Sequence, residues 1–149
     1  MSPIMNKIYP VFIYTMRLVL GIVFIYASYD KILDPSKFAR DISNYHFVPF
    51  GLENTVAIIL PWLELFIGIG IILGIYIDGN TLLSAFLLLL FNFLIFQAMV
   101  RGFNIECGCG LKEGELVGWR KLIENFTLFG GACLILLSKK RIFEFYPRI

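Results

Sequence analysis

Charge is what this sequence has least of. Only 16% of its 149 residues are Asp, Glu, Lys or Arg, against 58% apolar, whereas soluble domains run near a quarter charged and about half apolar. The shortfall argues against a soluble globular domain and for an integral membrane protein. The net charge is +2 and the basic residues are scattered, so no nucleic-acid partner is implied. The implied partner is the lipid bilayer. Histidine occurs once and cysteine three times. A thiolate metal site wants three or four soft or imidazole ligands, and only His46 and Cys133 could supplement Cys107 and Cys109, so a metal centre is a poor reading. No repeat, low-complexity tract or long linker divides the chain, and one domain is expected over residues 1–149. The first residues also lack a short apolar core ending in a small-residue cleavage site, so they are expected to be retained as part of a first span.

What is abundant is long apolar sequence. A hydrocarbon core of roughly 30 Å asks for about 20 apolar residues per helix, and four segments answer, approximately 8–28, 55–77, 81–100 and 120–138. The fold class expected is all-α, a four-transmembrane-helix bundle. Ile77-Asp78-Gly79-Asn80 is expected to turn the second span tightly into the third. Between the first and second, Asp34 can cap, Pro35 suits a first helical position, and Phe38, Ile42 and Tyr45 recur at helical spacing. Residues 35–46 therefore read as a short amphipathic helix at the membrane interface. Lys139-Lys140-Arg141 directly follows the last span, and positive charge there holds a terminus in the cytoplasm. Both termini are expected inside and the loop between the third and fourth spans outside.

That loop carries Cys107-Gly108-Cys109. An extracytoplasmic position is where disulfide chemistry operates. A bridge across one intervening residue closes a very small ring, and strained bridges are readily reduced, which suits an exchanger better than a staple. Besides redox work, a metal site and an inert pair of small residues stay open, although a cysteine outside a core or a bridge is a reactive liability. Cys133, among Gly131 and Ala132, reads as a small packing residue.

Two charges interrupt the apolar spans, Arg17 in the first and Glu64 in the second, and each is costly in hydrocarbon unless paired or wetted. Counted from the outer ends of the expected spans they lie within a few ångströms of one depth, so a buried Arg17–Glu64 ion pair is expected. Asn92, Gln97 and Asn125 fall in the same half of the membrane. Such a polar layer either fixes helix packing or forms a proton or ligand pathway. Pro61 is expected to kink its helix beside Glu64, with Trp62 lining a cavity or packing outward. Gly68, Gly70 and Gly74 read as a face for close helix packing. His46 reads as a solvated interfacial residue or a proton relay.

The run Ser28-Tyr29-Asp30-Lys31-Ile32-Leu33-Asp34-Pro35, with Leu60-Pro61-Trp62-Leu63-Glu64, Arg101-Gly102, Cys107-Gly108-Cys109 and Gly118-Trp119, resembles the DoxX/MauE group of redox-associated membrane proteins. The resemblance spans nearly the whole chain. It implies a four-helix protein of the bacterial inner membrane, associated in its MauE branch with disulfide formation in periplasmic proteins of methylamine use. On that footing Cys107 and Cys109 are the expected catalytic pair of a thiol–disulfide oxidoreductase or electron relay, exchanging with a periplasmic thioredoxin-like or client protein. By analogy with other four-helix disulfide-forming membrane proteins, a quinone in a cavity near Arg17, Trp62 and Glu64 is the candidate second electron station. Two other functional classes remain: a non-enzymatic subunit that docks or helps assemble a redox partner, and a small-molecule or metal transporter facing its substrate with Arg17 and Glu64.

Overall fold

Pro35 and Gly74 set two sharp breaks in the chain. In the computed structural model, which describes residues 3–102, 116–139 and 142–145, five helices form: α1 Pro3–Leu33, α2 Pro35–Asn44, α3 Glu53–Leu73, α4 Ile77–Val100 and α5 Trp119–Leu137. Cys107 and Cys109 lie outside the described residues, as do Lys140 and Arg141, on which the expected orientation rests.

Helix α1 runs five residues past the expected end at 28, and this extension carries Lys31 into the protein. It stops because Asp34 restarts the chain: its carboxylate accepts from the Lys37 backbone N–H at 2.9 Å, and Pro35 occupies the first turn of α2, where a missing N–H costs nothing. Helix α2 then buries Phe38, Ala39 and Ile42 against Ala57 and its neighbours on α3. The apolar face read from the sequence is thus covered by protein.

The turn between α3 and α4 falls three residues earlier than expected. Gly74 adopts φ +76°, a left-handed conformation open to glycine at little cost, and it ends α3 at Leu73. Asp78, Gly79 and Asn80 consequently sit in the first turn of α4, where the Asn80 amide donates back to the Ile75 carbonyl at 2.7 Å. Helix α3 passes unbroken through Pro61.

Among the described residues, three helices are long and apolar enough to cross a membrane, over Lys7–Leu33, Glu53–Leu73 and Ile77–Val100. The fourth expected span is also a helix, α5, but Arg120, Lys121 and Glu124 crowd its first two turns and it does not join the three. Outward-facing Phe12, Ile22, Phe66, Phe86 and Phe93 are each about half or more exposed. Such a surface belongs in lipid, where helices satisfy their own backbone groups. The chain is thereby a membrane-embedded, all-helical protein.

The core gathers Ile13, Leu20 and Phe24 of α1, Ile67 and Ile71 of α3, Leu88 of α4 and Ile135 of α5. Its tightest point is glycine on glycine. A Cβ on Gly68 would lie 2.8 Å from the Gly21 carbonyl oxygen and 3.1 Å from the Ile25 nitrogen, so α1 and α3 cross backbone to backbone. Gly68→Val is expected to lower stability by about 1–3 kcal/mol through overpacking. Gly79→Ala, with nothing within 4 Å of the added carbon, should raise it by about 0.5–1 kcal/mol through helix propensity. Thermal melts of the two variants in detergent check both signs.

Candidate functional site

The Gly21–Gly68 contact fixes which polar groups of α1 and α3 can meet. Arg17 lies one turn before Gly21, and in an antiparallel neighbour the matching position is about one turn after Gly68. Arg17 accordingly reaches Ile71, not Glu64. Its Nε and Nη2 donate to the Ile71 carbonyl at 3.2 and 3.0 Å, and Nη1 donates to Ile142 O at 2.7 Å and Phe143 O at 3.2 Å. Ile71 stands in the last turn of α3, whose carbonyls have no partner within the helix, and a cation there also meets the negative end of the helix dipole. The side chain is fully buried. Arg17 thus caps α3 and clamps the segment after α5, which also joins α3 through Phe145 N–H to Gly74 O at 3.1 Å.

The expected Arg17–Glu64 pair is therefore corrected: Glu64 closes on Lys31. Both carboxylate oxygens lie 2.9 Å from Lys31 Nζ, with both side chains all but fully buried. The sequence reading ended α1 at 28 and so left Lys31 in the loop. The pair is boxed by aromatic faces, Phe38 of α2 at 4.9 Å and Phe91 of α4 at 5.2 Å from Nζ, which add attraction to a desolvated cation. One ion pair therefore ties α1 and α3 to the rings of α2 and α4.

Two spaces flank it. A cavity of about 30 Å³ is lined by Glu64, Phe91 and Asn125 among others, and the Asn125 Nδ2 has no hydrogen-bond partner. That is room for a water, with an acceptor and a donor on its walls. Beneath α2, a cavity of about 230 Å³ is lined by Phe38, Asp41, Tyr45 and Phe91. Burial, and after it the charge of Asp41, raises the Tyr45 phenol above its ordinary value, so it remains a neutral hydroxyl.

Trp62 stands apart from these groups. It is 48% exposed and packs on Phe66 with ring centroids 6.4 Å apart. Two residues along a helix is a rotation of about 200°, which turns Trp62 outward where Glu64 turns inward. Arg17 is held at the Ile71 carbonyl and Glu64 at Lys31, so among the described residues these two side chains and Trp62 are not brought together as one group. His46 is exposed, with φ +51° and its Nδ1 2.9 Å from Asn44 O. Cys133 is half-buried on α5 as a free thiol.

Asn92 on α4 and Asn125 on α5 are 3% and 5% exposed. They make no hydrogen bond to each other: both amide atoms of Asn92 and the Nδ2 of Asn125 are buried without a partner. Asn92 and Asn125, two of the three amides read as a polar layer, are thus buried within the bundle.

Helix α4 ends and α5 begins at the end of the bundle that also holds α2, and Cys107 and Cys109 fall between these helices in sequence, outside the described residues. No solved structure matches this chain. A methylamine utilization protein MauE of Paracoccus denitrificans is 27% identical over 125 residues, which cover 81% of this chain and 66% of that protein. A protein of the same name from Methylorubrum extorquens is 31% identical over 108 residues, 70% of this chain and 58% of its own length. The chain spans about two thirds or less of these relatives. The family described as methylamine utilisation protein MauE matches residues 9–138, from the first helix to the end of α5, and the chain belongs to that family.

Proposed function

We propose that this chain is a membrane accessory of a redox system, of the kind its relatives' names attach to methylamine utilisation, and that its Cys107/Cys109 pair exchanges disulfides with a partner outside the cytoplasm. In this reading it is one integral domain over 1–149 in the bacterial inner membrane, α5 is the fourth span and α2 rests at the interface. Both termini are cytoplasmic and the loop between α4 and α5 is periplasmic. The wider kinship with DoxX proteins belongs to the same reading.

The observation that carries it is the Cys-Gly-Cys sequence between two helices of a membrane bundle, since such a closely spaced pair has no structural need that a core cysteine would answer. A thiolate of a thioredoxin-like or client protein attacks one sulfur of the Cys107–Cys109 bridge, and the other sulfur leaves as a thiolate. The partner's second thiolate then attacks the mixed disulfide. The partner ends as a disulfide and the Cys107/Cys109 pair as a dithiol, so two electrons and two protons have moved. In Cys109→Ser no bridge can form, but the Cys107 thiolate can attack the disulfide of the oxidised partner and expel one partner thiolate, and the mixed disulfide so formed is expected as a reductant-sensitive band on a non-reducing gel. A docking subunit without thiol chemistry would give no such band, and partner oxidation would be unchanged in the variant.

A further inference from the structure

The cavity of about 30 Å³ beside the ion pair takes its walls from all four long helices, with Ala27 of α1, Glu64 of α3, Phe91 of α4 and Asn125 of α5 among them. Glu64 lies eleven residues beyond Glu53, the first of the 21 residues of α3. It therefore stands about 16 Å along a helix about 31 Å long, near the middle of that span. The other lining residues are hydrocarbon side chains, so Glu64 and Asn125 are the polar side chains on these walls.

Neither is fully satisfied by the protein. Each Glu64 oxygen accepts one hydrogen bond, from Lys31 Nζ at 2.9 Å, and a carboxylate oxygen has lone pairs for two. Asn125 is 5% exposed, and its Nδ2 is buried without a partner. A cavity holds a water when it offers the centre of one about 10–15 Å³ or more, together with at least two polar partners. The space here is about twice that minimum, and the carboxylate and the amide are the two partners.

These requirements select the occupant. Hydrocarbon would leave the amide bare. A cation is not called for, because the Lys31 ammonium already neutralises the carboxylate. A water donates to Glu64 and answers either end of the amide, accepting from Nδ2 or, after a half-turn of the side chain, donating to Oδ1. We propose that an ordered water occupies this cavity, hydrogen-bonded to the Glu64 carboxylate and to the Asn125 amide, and that it ties α5 to the Lys31–Glu64 pair. Glu64 is then both paired and wetted, the two conditions under which a charge persists inside a membrane. The water is independent of the cysteine chemistry, and its test leaves that reading untouched.

Solid-state NMR of the protein in lipid bilayers, with isotopically labelled asparagine, makes the test. Magnetisation that starts on water protons should reach the Asn125 side-chain amide protons, which are identified by their loss in Asn125→Leu. Exposed Asn54 serves as the positive control. The transfer to Asn125 should vanish in Lys31→Met/Glu64→Leu, which removes the acceptor. It should vanish also in Ala27→Val, which fills the space with apolar volume and keeps the polar groups. Should either variant lose its helical circular dichroism, the other decides. Wild-type protein in which Asn54 receives the transfer and Asn125 does not would overturn the proposal, and so would transfer to Asn125 that persists in either folded variant.

Discussion

Protein carrying Lys31→Met alone is expected to lose about 3–5 kcal/mol of stability, and Glu64→Leu alone a similar amount, because each strands the other charge in a buried site. The geometry leaves little room for rescue by solvent: both side chains are nearly fully covered, and Phe38 and Phe91 close over the ammonium. The double variant Lys31→Met/Glu64→Leu should recover most of the loss, since replacing a buried ion pair by apolar residues of like volume is often neutral. Unfolding by titration with sodium dodecyl sulfate, followed by circular dichroism, measures all three. Additive losses in the double variant would mean that the pair does not interact. If stability returns and function does not, the charges themselves serve the activity, which is what a buried ionisable pair in a membrane protein leads one to expect.

Arg17→Leu should cost about 2–4 kcal/mol, judged from the price of leaving the Ile71, Ile142 and Phe143 carbonyls without their charged donor. The effect has a local signature. The segment after α5 is held to α3 by Arg17 and by the Phe145–Gly74 hydrogen bond, so hydrogen exchange at the Phe145 amide should accelerate in the variant while the Glu64 end of the bundle keeps its protection. Arg17→Lys restores the charge at the end of α3 but cannot fork between three carbonyls, and it should recover only part of the loss. Uniform acceleration across the bundle would instead make Arg17 a general core residue.

The helices were legible because an apolar run of some twenty residues has few other fates, and α2 was legible because Asp34-Pro35 is a start signal with a physical cause. Pairing was not. The depth argument that joined Arg17 to Glu64 depended on where α1 ends, and composition placed that end at 28, short of the last turn that delivers Lys31. The register of α1 against α3 comes from Gly21 meeting Gly68, a contact between distant positions that no local pattern reveals. Even so, two signals were present in the chain. The resemblance to redox-associated proteins already rested on the stretches containing Lys31 and Glu64, which the fold joins. Trp62 could have been set aside from Glu64 by counting, since a helix turns the second residue along to its far side. The orphaned amide of Asn92 had no signal at all, because an asparagine in a span reads the same whether its partner is another helix or a ligand.

The central claim is that Cys107 and Cys109 cycle between dithiol and disulfide outside the cytoplasm. It is tested most directly by differential alkylation in living cells, first with a membrane-impermeant maleimide and then, after reduction, with a second reagent of different mass. A pair that is largely disulfide, turns to dithiol when its oxidant is withdrawn and is reached from outside is the predicted result. Cysteines that stay reduced under every condition, or that react only after the membrane is opened, would contradict it.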